Sequence, residues 1–376
     1  MDTFTVPNPM PRPNYAFTEM PTTDQLRQRA VQGMRDHLSI QWSTHKKIVH
    51  SKTGPVSGKR FIYDANVIFC GLPYTNGDKG LFQFLEYYDH ETGRLKFDGT
   101  GEEFNKILGC TCAGGVMWGW STVCHTLTGR FVNFYMVPKH GCYPVGDYTF
   151  DFSIDSYKEY STKNICLDNG MDCILDAYSK ILPADAVTSS PKDHTMMAIE
   201  PAHTVYTEDG KIDPDASYVV IQDQCGGCGA GFYDIRQDDD LLHYSGRISQ
   251  KFSFRQLYDW WYIPVTVAEF MGTEPYARAH ITFDGNPENL ESVLAGTLHS
   301  NYPMAVLKVI ATAEDGTETM LARAFFDKTD VQVGLARNYP LENLKEQLTT
   351  VPAGAELRLE ATATNGEVIV PVQFSV

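Results

Sequence analysis

The residues best placed to do chemistry sit in the stretch Gly109-Cys110-Thr111-Cys112-Ala113-Gly114-Gly115-Val116-Met117-Trp118-Gly119-Trp120. Its pattern predicts a tight turn that delivers Cys112 to the first turn of an apolar helix running to about Leu127. A helix N-terminus favours negative charge, because its backbone N–H groups are unpaired and its dipole is positive there. A thiol at that place ionises more readily and attacks as the thiolate. The small residues Ala113, Gly114 and Gly115 let a carbonyl group approach the backbone, and their N–H groups are candidate oxyanion donors. A cysteine taken alone is more often a small buried hydrophobe than a nucleophile, so the chemistry has to come from partners elsewhere.

A partner is offered by Asp193-His194-Thr195-Met196-Met197-Ala198, a histidine opening an apolar strand. The strand Tyr218 to Gln224 returns after the turn signal Asp209-Gly210. Folding the hairpin about that turn sets His194 level with Gln224 or Cys225. The same end therefore offers an imidazole and three polar residues, Gln222, Asp223 and Gln224, any of which could orient it. Thiol, histidine and an orienting polar group are the parts a cysteine nucleophile needs. Tyr74, in Gly71-Leu72-Pro73-Tyr74, adds a phenol that can donate to a thiolate or a bound substrate.

The elements that must position these groups are legible in part. At 376 residues and 43% hydrophobic, the chain can bury a large core and divides into domains. Residues 1–21 are Pro-rich and read as an extended arm. Thr22 and Gln25 fit a capping box before Leu26, Ala30, Met34 and Leu38, which recur at helical spacing. Residues 78–108 carry several turn signals and read as a surface excursion. All nine cysteines and all five tryptophans precede Tyr262, and that shift marks a boundary. Beyond it, runs at His280–Phe283, Ala305–Ala313, Met320–Phe326, Glu356–Ala363 and Val368–Phe374 are separated by turn signals. They predict an immunoglobulin-like antiparallel β-sandwich over 276–376. Pro340 to Leu348 reads as a short helix within it.

The order of these motifs resembles the NlpC-type cysteine peptidases of the papain-like superfamily. The matching residues are Gly71-Leu72-Pro73-Tyr74, Cys112 opening a helix with Ala-Gly-Gly-Val after it, Leu182-Pro183-Ala184-Asp185-Ala186-Val187, and His194-Thr195-Met196-Met197-Ala198. The family's patterns are G-x-P-Y, D-C-S-G-F-V, L-x-P-G-D-x-V and H-V-G-I-Y, followed by a polar residue on the next strand. The resemblance implies Cys112 as nucleophile, His194 as base, Gln224 or a near neighbour as orienting residue and Tyr74 as a substrate-pocket tyrosine. It departs at Thr111 for Asp, Ala113 for Ser and Ala184 for the turn glycine, and the segments between motifs are longer. The fold class that follows is α+β, with a papain-like hydrolase domain over 22–275 and the β-sandwich after it.

The activity that follows is hydrolysis of an amide bond through a thioester, as in the peptidoglycan peptides such enzymes cleave. The alternative is a non-catalytic protein that binds a peptide or glycan on the same fold. Gln224-Cys225-Gly226-Gly227-Cys228-Gly229 offers two rival sites. A papain-type nucleophile at Cys225 lacks a histidine far enough downstream, since the last is His299. A zinc site joining Cys225 and Cys228 to Cys110, Cys112 or His203 lacks a second C-x-x-C. No cofactor is expected. The net charge of −16 argues against nucleic acid as a partner, and no run is apolar enough to span a membrane. The opening residues have no charged and apolar segments of a signal peptide, and the odd number of cysteines suggests reduced thiols, so a cytoplasmic location is expected.

Overall fold

A computed structural model describes residues 4–51, 60–127, 141–151, 160–225, 242–335, 351 and 354–375. The chain is mixed α+β, with several antiparallel sheets and few helices. It divides into two compact units. The first comprises Met1–Arg12, Pro21–Trp120 and Phe131–Pro275, and the second Pro13–Met20, Ser121–Arg130 and Tyr276–Val376. Among the described residues no helix is long and apolar enough to cross a membrane.

In the first unit the elements in order are α1 (Thr23–Ser39), β1 (Gln41–Thr44), β2 (Ile48–Ser51), β3 (Arg60–Tyr63), β4 (Ile68–Cys70), α2 (Leu81–Leu85), β5 (Arg94–Leu95), α3 (Gly101–Ile107) and α4 (Cys112–Trp120). They continue with β6 (Cys142–Pro144), α5 (Thr162–Asn169), α6 (Met171–Ser179), β7 (Ala186–Ser189), β8 (His194–Ala198), β9 (Tyr218–Gln224), β10 (Leu242–Tyr244), β11 (Gly246–Ser253), α7 (Phe254–Asp259), β12 (Ile263–Val267) and α8 (Ala268–Met271). A six-stranded sheet runs β11-β9-β8-β7-β12-β6, and a four-stranded sheet runs β10-β4-β1-β5.

Helix α1 starts where its cap dictates: Thr22 Oγ1 accepts the Gln25 N–H, and Gln25 Oε1 accepts the Thr22 N–H. Its apolar stripe, Leu26, Ala30, Met34 and Leu38, is buried. That stripe packs on α4, all nine residues of which are buried. At Gly119 a Cβ would sit 2.8 Å from Met34 Cβ and 3.0 Å from Met197 Cε, so only glycine lets α1, α4 and β8 come this close. Helix α4 is therefore clamped between α1 and the large sheet.

Two expectations about this unit are corrected. Helix α4 stops at Trp120 rather than near Leu127, because the next carbonyls have other partners. Thr364 Oγ1 donates to the Ser121 carbonyl and the Tyr302 hydroxyl to that of Val123, all within the second unit. Residues 78–108 are not a surface excursion. They hold α2, whose five residues are all buried, and α3, capped by Thr100 with Glu103. Phe84 and Phe104 belong to an aromatic cluster around Trp42, whose ring lies 4.9 Å from Phe69 and 5.6 Å from Phe84. Turn residues between the helices masked that apolar content.

The second unit holds β13 (Ile281–Asp284), α9 (Leu290–Ala295), β14 (Thr297–Thr312), β15 (Glu318–Gln332), β16 (Glu356–Ala363) and β17 (Val368–Ser375). The expected sandwich is met only as far as its antiparallel strands. Among the described residues all five strands share one sheet, in which β14 pairs with β13, β15 and β16. Register shifts between His299 and Met304 interrupt the β14–β15 ladder and bend it there. A core of Leu298, Met304, Leu307, Val309, Leu357, Leu359 and Phe374 is buried on it. The helix expected over Pro340 to Leu348 lies outside the described residues.

Candidate active site

Cys112 is the first residue of α4, and the turn before it needs glycine. Gly109 has φ +79°, and a Cβ there would lie 2.1 Å from the Pro73 carbonyl oxygen. That carbonyl accepts the Cys110 N–H at 3.1 Å, and the Thr75 N–H donates back to the Cys110 carbonyl at 3.3 Å. The Gly71–Tyr74 loop is thus paired to the cysteine turn, with Tyr74 bridged to Cys110. The pairing puts the Tyr74 phenol on Cys112, where it hydrogen-bonds the thiol and accepts the Cys112 N–H. Burial and then the nearby Cys112 charge push the phenol well above its ordinary value, so it stays protonated as a donor.

His194 is the first residue of β8. The β8–β9 ladder pairs Met197 with Gln222 and Ala198 with Ile221, a register that sets His194 level with Cys225. Alternation along β9 then decides which polar residue meets the ring. Gln222 Nε2 donates to the Val31 carbonyl of α1 at 2.9 Å, and Gln224 Nε2 donates to the Leu72 carbonyl at 2.6 Å and to Ser245 Oγ at 3.3 Å. Both amides are spent on the helix and loop side. Asp223, between them, points the other way and accepts from His194 Nε2 at 2.6 Å.

Gln224, expected to orient the ring with Gln222 and Asp223 left open beside it, does not meet His194; Asp223 does. With Nε2 held by the carboxylate, Nδ1 is the ring nitrogen left for the Cys112 thiol, whose charge acts on the ring. A further side chain escaped the sequence reading altogether. Arg247, the cross-strand partner of Asp223 on β11, donates from Nε to Oδ1 at 2.8 Å and from Nη2 to Oδ2. Nothing in the sequence around Gly246-Arg247 marks it; only the β9–β11 register brings it there.

Electrostatics follow from these contacts. Burial alone lowers the proton affinity of His194. The Cys112 charge and the hydrogen bonds to Asp223 and Cys112 outweigh it and lift the pKa from 6.5 to about 10. Asp223 is fully buried, which would raise its pKa, but hydrogen bonds from Arg247 and His194 hold it below the usual carboxylate value. A raised histidine contributes stability that is complete below pH 6.5 and lost as pH rises through about 10. Urea unfolding midpoints should accordingly fall between those pH values, and in a His194→Ala protein that part of the decline should disappear.

The sulfur is covered. Cys112 is fully buried, with the Asp193 carbonyl 3.8 Å from Sγ, while the His194 side chain is 19% exposed. Asp193 adopts φ +49° in the turn joining β7 to β8, a conformation Asp tolerates better than most residues. Of the oxyanion donors expected at Ala113, Gly114 and Gly115, the last two are engaged, Gly114 by Thr111 Oγ1 at 3.2 Å and Gly115 by the Thr111 carbonyl at 2.9 Å. The Cys112 N–H is directed at the Tyr74 phenol oxygen.

The Leu182–Val187 turn has a left-handed residue that is not glycine. Ala184 has φ +70°, and its carbonyl accepts the Trp120 Nε1–H at 2.6 Å, tying the turn to the end of α4. A left-handed alanine costs about 1–2 kcal/mol. Ala184→Gly should therefore raise stability by about 1 kcal/mol, read as an upward shift of the urea midpoint.

The chemistry of Cys225 also speaks against the two rival sites that the sequence disfavours. Cys225 is disulfide-bonded, which leaves no thiolate to attack or to hold zinc; its partner, like Gly226 to Gly229 and Cys228, lies outside the described residues. Among the described residues no group of three His, Cys, Asp or Glu could hold a metal ion. Comparison with known proteins gives no match: no family model, no curated protein and no solved structure is significantly similar to this chain.

Proposed function

We propose that the protein is a papain-like cysteine hydrolase that cleaves an amide bond through a thioester on Cys112. The observation that carries the proposal is the continuous row Cys112, His194, Asp223, built from a helix tip and two strands. His194 Nδ1 takes the thiol proton and the sulfur attacks the carbonyl carbon, forming the C–S bond as the carbonyl electron pair moves to oxygen. That oxygen takes the Tyr74 O–H, which now faces the thiol, and the Cys112 N–H, which now donates to the Tyr74 oxygen. Collapse breaks the C–N bond while His194 returns the proton to the leaving amine. Water, deprotonated by His194, then cleaves the thioester and frees the acid. A positioned acid and base of this kind contributes about 10²- to 10⁴-fold.

The motif order of the NlpC-type peptidases supports a peptide substrate of the peptidoglycan kind, and the left-handed backbone at Ala184 is the conformation a glycine in that turn would supply. The proposal requires Tyr74 or the Ser190–Asp193 turn to move, because the sulfur is covered. That covering favours the second reading, a non-catalytic peptide- or glycan-binding protein on the same fold. Muropeptides and acyl-amino-acid amides, screened with mass-spectrometric detection of products, separate the two. New acid and amine pairs at equal amounts are the expected result, and binding without any cleavage would favour the second reading.

A further inference from the structure

We infer that Arg247 is a positioning residue that supplies the second positive charge needed for Cys112, His194 and Asp223 to stand as thiolate, imidazolium and carboxylate in one buried row. This rests on the proposed hydrolase reading. With Arg247 the row alternates in sign, two cations against two anions, and is neutral. Without it, two anions share one cation away from water, and the row would recover neutrality by taking up a proton. Of the two anions the thiolate is the stronger base, so the thiol would be the group that keeps its proton.

Geometry gives Arg247 little else to do. Its Nε and Nη2 both donate to Asp223, and its guanidinium lies over the Phe252 ring, 5.3 Å from the centroid, which fixes the fork without adding charge. The β9–β11 register shifts between Arg247 and Gln250, a bulge that re-aims a side chain as bulges beside active sites do. The other groups facing the row do not replace its charge. Tyr74 from the paired loop, Tyr262 before β12 and Cys110 before α4 are all pushed up by burial and stay neutral. Asp193, on the β7–β8 turn, would add a negative charge rather than a positive one.

Thiolate formation can be followed by its ultraviolet absorbance, as the difference between each protein and its Cys112→Ala counterpart across pH. This readout does not depend on access to the sulfur. The wild-type midpoint should lie well below the ordinary thiol value of about 8.5. In R247M it should rise by about one pH unit or more, the scale on which a lost neighbouring charge acts. In the double variant D223N/R247M it should return toward wild type, because one anion and one cation remain. R247K, which keeps the charge, should hold the wild-type midpoint, and carries the comparison if R247M does not fold. An unmoved midpoint in R247M, a double variant as far displaced as R247M, or a displaced midpoint in R247K would overturn the assignment to Arg247 alone. A wild-type midpoint at or above the ordinary thiol value would instead overturn the hydrolase reading.

Discussion

Cys112→Ala is expected to lower the amide turnover of the protein by about 10⁴-fold or more, with the fold retained. The magnitude follows from how such groups act together: removing the nucleophile removes the covalent path, and only binding and oxyanion contacts remain. The change itself is small. Cys112 is one atom larger than alanine at a helix start, and the deletion costs about 1 kcal/mol of stability, the usual scale for a single substitution. His194→Ala should lose turnover to a similar extent, because without the imidazole neither the thiol proton nor the leaving amine is served. The two losses should not add in the double variant, since each already abolishes the same step. Thermal melting beside the turnover assay separates lost chemistry from lost structure.

Asp223→Asn should lower kcat by about 10³- to 10⁴-fold, while Gln224→Ala should leave kcat within about tenfold of wild type. The contrast rests on two neighbouring residues with opposite facings. Asp223 holds His194 Nε2 at 2.6 Å, and an amide in its place can donate to the ring and turn it to the wrong tautomer. Gln224 touches the Leu72 carbonyl and Ser245 instead. Its loss leaves those groups unsatisfied and should appear as about 1–3 kcal/mol of stability. Asp223→Ala is the harsher change, since Arg247 is then left without its carboxylate, and breaking a buried pair this way costs about 3–5 kcal/mol. Steady-state kinetics and urea unfolding on the three variants should therefore show loss of kcat and loss of stability at different positions.

The parts legible in the sequence are those governed by local chemistry. Thr22 and Gln25 announce the start of α1, and Cys112 does open a helix, because the turn before it contains the glycine that a φ of +79° demands. The hairpin register about Asp209-Gly210 was legible too, since Met197 and Gln222 pair as a turn centred there requires. What the sequence could not settle is decided by tertiary packing. Choosing among Gln222, Asp223 and Gln224 needs to know which face of β9 lies against α1 and α4, and both faces of that strand are buried, so no alternation of polarity reveals it. Arg247 was invisible because its partner comes from a strand pairing of distant residues. The end of α4 was missed for the same reason, with Ser121 and Val123 satisfied by Thr364 and Tyr302 far along the chain.

The most direct test of an activated Cys112 compares alkylation rates of the individual cysteines by iodoacetamide near neutral pH, read by mass spectrometry of each cysteine peptide. Burial pushes the thiols of Cys70 up to about 11 and of Cys142 and Cys166 to about 12, and raises Cys110 and Cys173 as well, so none of these should compete. The proposed mechanism predicts that Cys112 reacts fastest and that this advantage disappears in the His194→Ala protein. A Cys112 that reacts no faster than the partly exposed Cys173, or equally fast with and without His194, would contradict it.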